Sequence, residues 1–183
     1  MTRSLSIAVS VLALGLLASP AAADPPAYTG EPIGGPGDIQ NTIVCPPGQY
    51  LKGLRGRTGD WVDRLTIICT QLKPGGIVGG SKSTESVGGN GGSDDLPALC
   101  PASIAYGIIE YLTPDSRMVR GVRLLCGDPP THKSTGHVTF GPGYTGQQWK
   151  SSCPQGMAAV GIAAHWGTHV NAVAIACNPL VIP

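Results

Sequence analysis

The sequence predicts an all-β protein built from three copies of one unit. A segment bounded by two cysteines occurs three times, at residues 45–69, 100–126 and 153–177. The copies begin 55 and then 53 residues apart, and a fixed period of this size indicates one supersecondary unit used three times. Short apolar runs separated by 27 glycines and 17 prolines favour strands over helices. Units this short would not bury separate cores, so we expect one shared core.

Each copy ends in a predicted strand with period-two alternation. In the first copy Leu65, Ile67 and Cys69 alternate with Thr66 and Ile68, and residues 122–126 and 173–177 repeat the pattern. Such alternation places one side of a strand against a core. The outward positions of the third copy are alanines, so we expect that strand to be covered on both sides.

A second strand is predicted earlier in each copy, around a glycine seven or eight residues after the first cysteine. These glycines are Gly53, Gly107 and Gly161. A glycine inside a strand is typical of a bulge or of a close backbone approach. Loops are expected between the two strands of each copy, at residues 57–61, 112–118 and 165–169.

A glycine-rich element precedes each copy, at residues 34–38, 88–95 and 141–144. This density of glycine indicates positive φ angles or a backbone pressed close to a neighbour. The low-complexity stretch 74–95 is expected to be an exposed loop rather than a linker between domains.

The six cysteines lie at the ends of the three copies and predict a disulfide framework. We favour closure within each copy, which would pair Cys45–Cys69, Cys100–Cys126 and Cys153–Cys177. Each closed loop of about 25 residues would stabilise the fold by roughly 3 kcal/mol. The competing symmetric scheme links neighbouring copies through Cys69–Cys100, Cys126–Cys153 and Cys45–Cys177. Spacings of this kind do not fit a zinc site.

Residues 1–23 are predicted to be a secretory signal peptide. Arg3 supplies the positive region, residues 5–17 the apolar region, and Ala21–Ala23 a small-residue cleavage site before Asp24. The expected exported product, residues 24–183, is one three-repeat domain without a membrane anchor. Without Arg3 it carries 11 basic and 11 acidic side chains, and a neutral chain without a basic stripe does not favour nucleic acid. Uncharged partners are therefore expected rather than nucleic acid.

The pattern resembles two families that share the β-prism I fold. The elements GGNGGSDD from Gly88 and GDWVD from Gly59 to Asp63 resemble the jacalin-related lectins. The threefold Cys-Pro framework is similar to the vitelline membrane outer layer protein family. The resemblance implies three Greek-key sheets around a pseudo-threefold axis. A β-trefoil is the alternative, because Gln147-Gln148-Trp149 matches a Q-x-W signature.

The resemblance to jacalin-related lectins implies a sugar site on the first copy. In that family a sugar lies between a glycine-rich loop and a Gly-x-x-x-Asp loop, whose carboxylate accepts strong hydrogen bonds from sugar hydroxyls. The matching loop is Gly59, Asp60, Trp61 and Asp63, with Trp61 expected to cover the apolar side of the sugar. The facing loop would contribute Gly88, Gly89, Gly91 and Gly92.

A second candidate site lies on the third copy, where Gly167, His169 and Asn171 occupy the matching positions. The second copy has Ser116 and Arg120 in place of the glycine and the acceptor, so no site is expected there. A purely structural interpretation is open for every loop, because glycine turns chains and aspartate commonly bonds loop backbones.

Other chemistry is less well supported. His165 and His169 are four residues apart but lack the glutamate of a H-E-x-x-H helix, so no metal site is expected. Asp60 and Asp63, with Asp94 and Asp95, would suit calcium or a glycosidase pair, but solvated turn carboxylates explain them more simply. No cofactor motif occurs.

We therefore expect a secreted, non-catalytic, carbohydrate-binding protein. The alternative is a disulfide-linked extracellular structural or interaction domain without a sugar site, whose partners would be protein surfaces. An enzyme acting on glycans is a third hypothesis.

Overall fold

The computed structural model describes residues 25–128, 131 and 133–182, so the signal-peptide prediction lies outside the described residues. The first six strands are β1 Tyr28–Thr29, β2 Ile39–Val44, β3 Gln49–Thr58, β4 Val62–Lys73, β5 Ile77–Gly88 and β6 Ser93–Leu99. The other six are β7 Ile104–Leu112, β8 Val119–Asp128, β9 Lys133–Phe140, β10 Gln147–Ser152, β11 Met157–Trp166 and β12 Val170–Pro179. A 3-10 turn, Pro74–Gly76, joins β4 to β5. No helix of the described part is long and apolar enough to cross a membrane.

The twelve strands form three antiparallel four-stranded sheets. Sheet A has the order β1-β12-β11-β2, sheet B the order β5-β4-β3-β6, and sheet C the order β10-β7-β8-β9. Each sheet is centred on the hairpin of one repeat: β11–β12, β3–β4 or β7–β8. This architecture is the β-prism I fold that the resemblance implied, and three separate sheets exclude the β-trefoil alternative.

The core lies between the three sheets. It contains the inward residues of every hairpin, among them Leu65 and Ile67 of sheet B, Leu124 of sheet C and Ile175 of sheet A, all at most 1% exposed. The predicted alternation of the closing strands is therefore confirmed. In β12 the outward residues Ala172, Ala174 and Ala176 are also buried, which confirms that this strand is covered on both sides.

The three predicted strand glycines lie at β-bulges. The register shifts between Leu51 and Gly53, between Ala105 and Gly107, and between Ala159 and Gly161. A Cβ atom on Gly161 would lie 2.0 Å from the Ile43 carbonyl oxygen of β2. Only glycine lets the neighbouring edge strand approach this closely.

The disulfides close within the repeats, as favoured from the sequence. Cys45–Cys69, Cys100–Cys126 and Cys153–Cys177 have Cα–Cα distances of 5.6, 5.5 and 5.7 Å. The competing scheme between repeats is wrong. Each disulfide links the start of a repeat to its closing strand, and all six cysteines are part of the core.

The expectation of an exposed loop at 74–95 is wrong for most of its length. Residues 77–88 form β5, which pairs with β4 from Lys73 to Arg64, and residues 93–99 form the edge strand β6. The polar composition of β5 is compatible with a strand because its side chains lie at the edge of sheet B, where Thr66 Oγ1 and Ser86 Oγ are 2.7 Å apart. Val87 supplies its buried contact with the core.

A buried carboxyl group joins sheet C to sheet A. Glu110 of β7 is 2% exposed, and its Oε2 accepts a hydrogen bond of 2.8 Å from the Val173 backbone N–H of β12. Burial raises the pKa of Glu110 from 4.5 to about 8. Hydrogen bonds from the backbones of Val173 and Ile33 lower this pKa, but the effect of burial is larger. Ser151 Oγ similarly accepts from the Ile175 N–H. Glu110 and Ser151 of sheet C thus accept hydrogen bonds from two backbone N–H groups of β12.

Candidate functional site

Three hairpin loops and three glycine-rich loops alternate around one end of the prism. The hairpin loops are residues 59–61, 113–118 and 167–169, and the glycine-rich loops are residues 34–38, 88–92 and 141–146. A Cβ atom on Gly89 would lie 2.3 Å from the Thr168 carbonyl oxygen, and one on Gly35 would lie 2.4 Å from that of Arg117. Each of these glycine-rich loops is therefore packed against the hairpin loop of a neighbouring repeat.

The glycine-rich loop 88–92 is held rigidly on sheet B. Gly88 has φ +101°, and its conformation lets the Gly89 N–H donate to the Asp63 carbonyl at 2.8 Å. Arg57 donates from Nε to the Gly91 carbonyl (2.8 Å) and from Nη2 to the Gly92 carbonyl (2.6 Å). A guanidinium bonded to two consecutive carbonyls fixes the loop before any ligand arrives.

Asp63, the acceptor expected on the first copy, lies beneath this loop. It is 3% exposed, and its Oδ1 accepts a hydrogen bond of 2.9 Å from His169 Nδ1. Cβ atoms on Gly91 and Gly92 would lie 2.4 and 2.5 Å from its two carboxylate oxygens. Oδ2 is buried and has no partner among the described residues. The carboxylate therefore faces the protein and orients His169 rather than opening to solvent.

The rest of the first predicted loop lies beside this pair. Trp61 is half-buried, and its ring meets the His169 ring edge to face, with centroids 6.4 Å apart and an interplanar angle of 66°. The Gly59 N–H donates to the Trp61 carbonyl at 3.0 Å, which closes the turn. Asp60 is exposed at its tip. Trp61 thus packs beside the His169 imidazole, and Asp63 is hydrogen-bonded to the same ring.

Asn171, the acceptor expected on the third copy, is also bonded to protein. Its Nδ2 donates to the Arg117 carbonyl of the neighbouring hairpin loop at 2.9 Å. In that loop Thr113 Oγ1 accepts from the N–H groups of Arg117 and Met118. A hydrogen bond from Thr113 lowers the pKa of Asp115 there. Asp63 and Asn171 occupy matching positions, and each links its repeat to the hairpin loop of another.

A groove of about 590 Å³ opens between loop 88–92 and loop 167–169, and we refer to it as the loop groove. Its lining residues are Asp38, Ile39, Gly89, Asn90, Gly91, Gly167, Thr168 and His169. The structure therefore joins parts of the two predicted sites, with Gly89 and Gly91 on one side and Gly167 and His169 on the other. Gly59, Asp60, Trp61 and Asp63 do not line it.

Sequence reasoning missed the exposed carboxylate of the loop groove. Asp38 ends the first glycine-rich element, and its N–H donates to the Trp166 carbonyl at 2.9 Å, which fixes its position. A Cβ on Gly167 would lie 2.9 Å from Asp38 Oδ2, so this glycine lets the carboxylate lie against the loop. Its position at the end of a Gly-Gly-Pro-Gly run was the available signal. Asn90, Ile39 and Thr168 were missed as well.

A second groove lies on the other side of Asp38 and Thr168. It is lined by Gly35, Pro36, Gly37, Asp38, Arg117, Gly167, Thr168 and Asn171. The two grooves share Asp38, Gly167 and Thr168, so the Asp38 carboxylate borders both.

The chemistry of the loop groove suits a neutral polyol. Asp38 offers a charged acceptor, Thr168 a hydroxyl group, and His169 an imidazole whose Nδ1 is committed to Asp63. Glycines keep the walls low, so backbone groups are accessible between these side chains. No group of three or more His, Cys, Asp or Glu that would hold a metal ion occurs in the described ranges.

Comparison with known proteins gives matches at the level of structure. The sequence matches no protein-family model and no curated protein. A mannose-binding jacalin-related lectin from Ananas comosus is similar, with a TM-score of 0.55 and 19% identity over 82% of this chain and 96% of that chain. A Malaysian banana lectin has a TM-score of 0.58 and 16% identity over 84% of this chain and 99% of its own.

Artocarpin, solved as a mannotriose complex, has a TM-score of 0.58 and 16% identity, with coverage of 85% and 99%. These likenesses extend over almost the whole of each lectin, while the identities are below 20%. The chain therefore has the β-prism I fold of the jacalin-related lectins.

Proposed function

We propose that this protein is an exported, non-catalytic lectin that binds a neutral glycan in the loop groove, with mannose as the first sugar to test. The exposed Asp38 carboxylate is the observation that carries the proposal. It lies opposite a glycine-rich loop that Arg57 holds in place, and a fixed charged acceptor in a shallow groove suits recognition of vicinal hydroxyl groups.

Asp63 and Trp61 act indirectly in this proposal. Since Asp63 is buried and bonded to His169, its role is to fix the ring so that Nε2 remains for the ligand. Trp61 supports the same ring. The residues that contact sugar are Asp38, His169, Thr168 and the backbone of Gly89 to Gly91.

The fold and the disulfides support an extracellular location. Three disulfides within one domain are typical of proteins that fold in an oxidising compartment. Several solved proteins of this fold are described as mannose-binding or were solved with mannotriose.

The experiment is a glycan array and titration calorimetry on the oxidised protein from Asp24 to Pro183. Asp38→Asn removes the charged acceptor with little change of shape. Asp60→Asn is the matched control, because Asp60 is equally a loop aspartate but does not line the groove. We expect wild type and Asp60→Asn to bind alike and Asp38→Asn to lose about tenfold in affinity or more, corresponding to roughly 1.4 kcal/mol. An equal loss of affinity in both variants would show that the glycan does not bind in the loop groove.

One observation favours a second candidate, an extracellular interaction domain without a sugar site. The two acceptors expected from the sequence, Asp63 and Asn171, are both bonded to protein. If the wild-type protein bound no glycan on the array, this candidate would be favoured.

A further inference from the structure

The outer side of sheet A differs from those of sheets B and C at equivalent positions. The bulge glycines Gly53, Gly107 and Gly161 align the three hairpins residue by residue. Two residues after each glycine the hairpins carry Arg55, Ile109 and Ala163, and the paired strands carry Thr66, Arg123 and Ala174 at the opposite positions. Sheet A thus has two alanines where the other repeats have larger side chains.

Ala163, one of these two alanines, lines a groove of about 360 Å³ on the outer side of sheet A. Ala163 and Ala164 contribute to its lining, with Thr29 and Pro32 of the N-terminal segment. The edge strand β2 contributes Gln40, Asn41 and Thr42, and β11 contributes His165. We refer to this as the alanine groove.

The polar side chains of the alanine groove are available to a ligand. Gln40 and Asn41 are exposed and Thr42 is half-buried. None of the three makes a side-chain hydrogen bond to any described residue. Amide and hydroxyl groups both donate and accept, as sugar hydroxyls do. The described lining contains no Asp, Glu, Lys or Arg, and Ala163 gives it an apolar surface against which the carbon side of a sugar ring fits.

Strand β2 connects the alanine groove to the loop groove. Asp38 and Ile39 line the loop groove, and the next three residues line the alanine groove. At roughly 3.3 Å per residue, the distance along the strand from Asp38 to Thr42 is about 13 Å. One ligand that reaches both grooves is therefore a chain of sugar units rather than a monosaccharide.

We propose that the alanine groove extends the glycan site and binds further units of a linear, neutral oligosaccharide whose end lies in the loop groove. The proposal rests on the proposed function of the loop groove. Repeat 3 thereby becomes the one repeat whose outer sheet surface contributes to binding, because only its hairpin has alanine at both positions.

The test compares mannose, mannobiose and mannohexaose by titration calorimetry. We expect wild-type affinity to rise about tenfold or more from mannose to mannohexaose. Ala163→Arg fills the alanine groove with the residue that sheet B carries at the equivalent position, and it should abolish this gain while leaving mannose affinity unchanged. Arg55→Ala, the reciprocal change on sheet B, should keep the gain.

A second variant guards against misfolding of Ala163→Arg. Gln40→Ala removes an exposed amide from the edge strand, on the same side of sheet A as Ala163, and it should reduce the gain from chain length without changing mannose affinity. Equal affinity of wild type for all three ligands would overturn the extended site but leave the loop groove as a monosaccharide site. No binding of any ligand would overturn the mannose proposal and the extension with it.

Discussion

The raised pKa of Glu110 predicts that the protein loses stability as the pH rises. Below pH 4.5 the carboxyl group is protonated in both the folded and the unfolded chain. Between 4.5 and about 8 the unfolded chain releases this proton while the folded chain keeps it, because burial disfavours the charged form. The folded state then binds more protons, so its stability decreases with increasing pH.

The magnitude follows from the interval between the two pKa values. One pH unit within this interval costs about 1.4 kcal/mol of stability, so the whole interval of 3.5 units costs roughly 5 kcal/mol, and the loss is complete above about pH 8. Such a loss is a large part of the stability of a typical domain.

The assay is urea unfolding of the oxidised protein at several pH values between 5 and 8, for wild type and Glu110→Gln. Glutamine has the shape of the neutral acid and keeps a carbonyl oxygen to accept from the Val173 N–H. Every other ionisable group is common to the two proteins, so the difference between them isolates Glu110. We expect the stability of wild type to fall relative to the variant by about 1 kcal/mol or more per pH unit. Parallel pH profiles would refute the reasoning.

Three further predictions concern the scaffold and the loops. Gly161→Ala should destabilise the fold by roughly 2 kcal/mol or more, measured by thermal unfolding, because its Cβ would collide with the adjacent strand β2; an unchanged melting temperature would contradict this. Cys100→Ser with Cys126→Ser should cost about 3 kcal/mol in urea unfolding, and no loss would contradict the entropic account. Asp63→Asn should weaken glycan binding severalfold by releasing His169, with calorimetry as the measurement; a larger loss than in Asp38→Asn would show that Asp63 contacts the ligand directly.

The fold was predictable because the same pattern of cysteines, glycines and alternating apolar residues occurs in all three repeats. The cysteine spacing predicted the disulfides within the repeats. The strand glycines predicted the β-bulges at Gly53, Gly107 and Gly161. Strand β5 was missed because its serines and glycines look like a loop, whereas its conformation is imposed by pairing with β4. Tertiary pairing of this kind overrides local composition.

The site was predictable in part. The sequence pointed to loops that the structure brings together at one end of the prism. It proposed Asp63 as a sugar contact, and in the folded chain this residue is hydrogen-bonded to His169, which is 106 residues away. A contact between the first and third repeats is set by the pseudo-threefold arrangement and leaves no trace in spacing. Asp38 was missed for the same reason, because its loop becomes a groove wall only when the third repeat packs beside it.

The most direct test of the central claim is NMR titration of the isotopically labelled, oxidised protein with the sugar selected by the glycan array. Binding in the loop groove predicts that the largest shifts occur at Asp38, Asn90, Gly91, Thr168 and the His169 imidazole. With a longer oligosaccharide the shifts should extend along β2. Shifts confined to the opposite end of the prism, or to the turn at residues 59–61, would contradict the account.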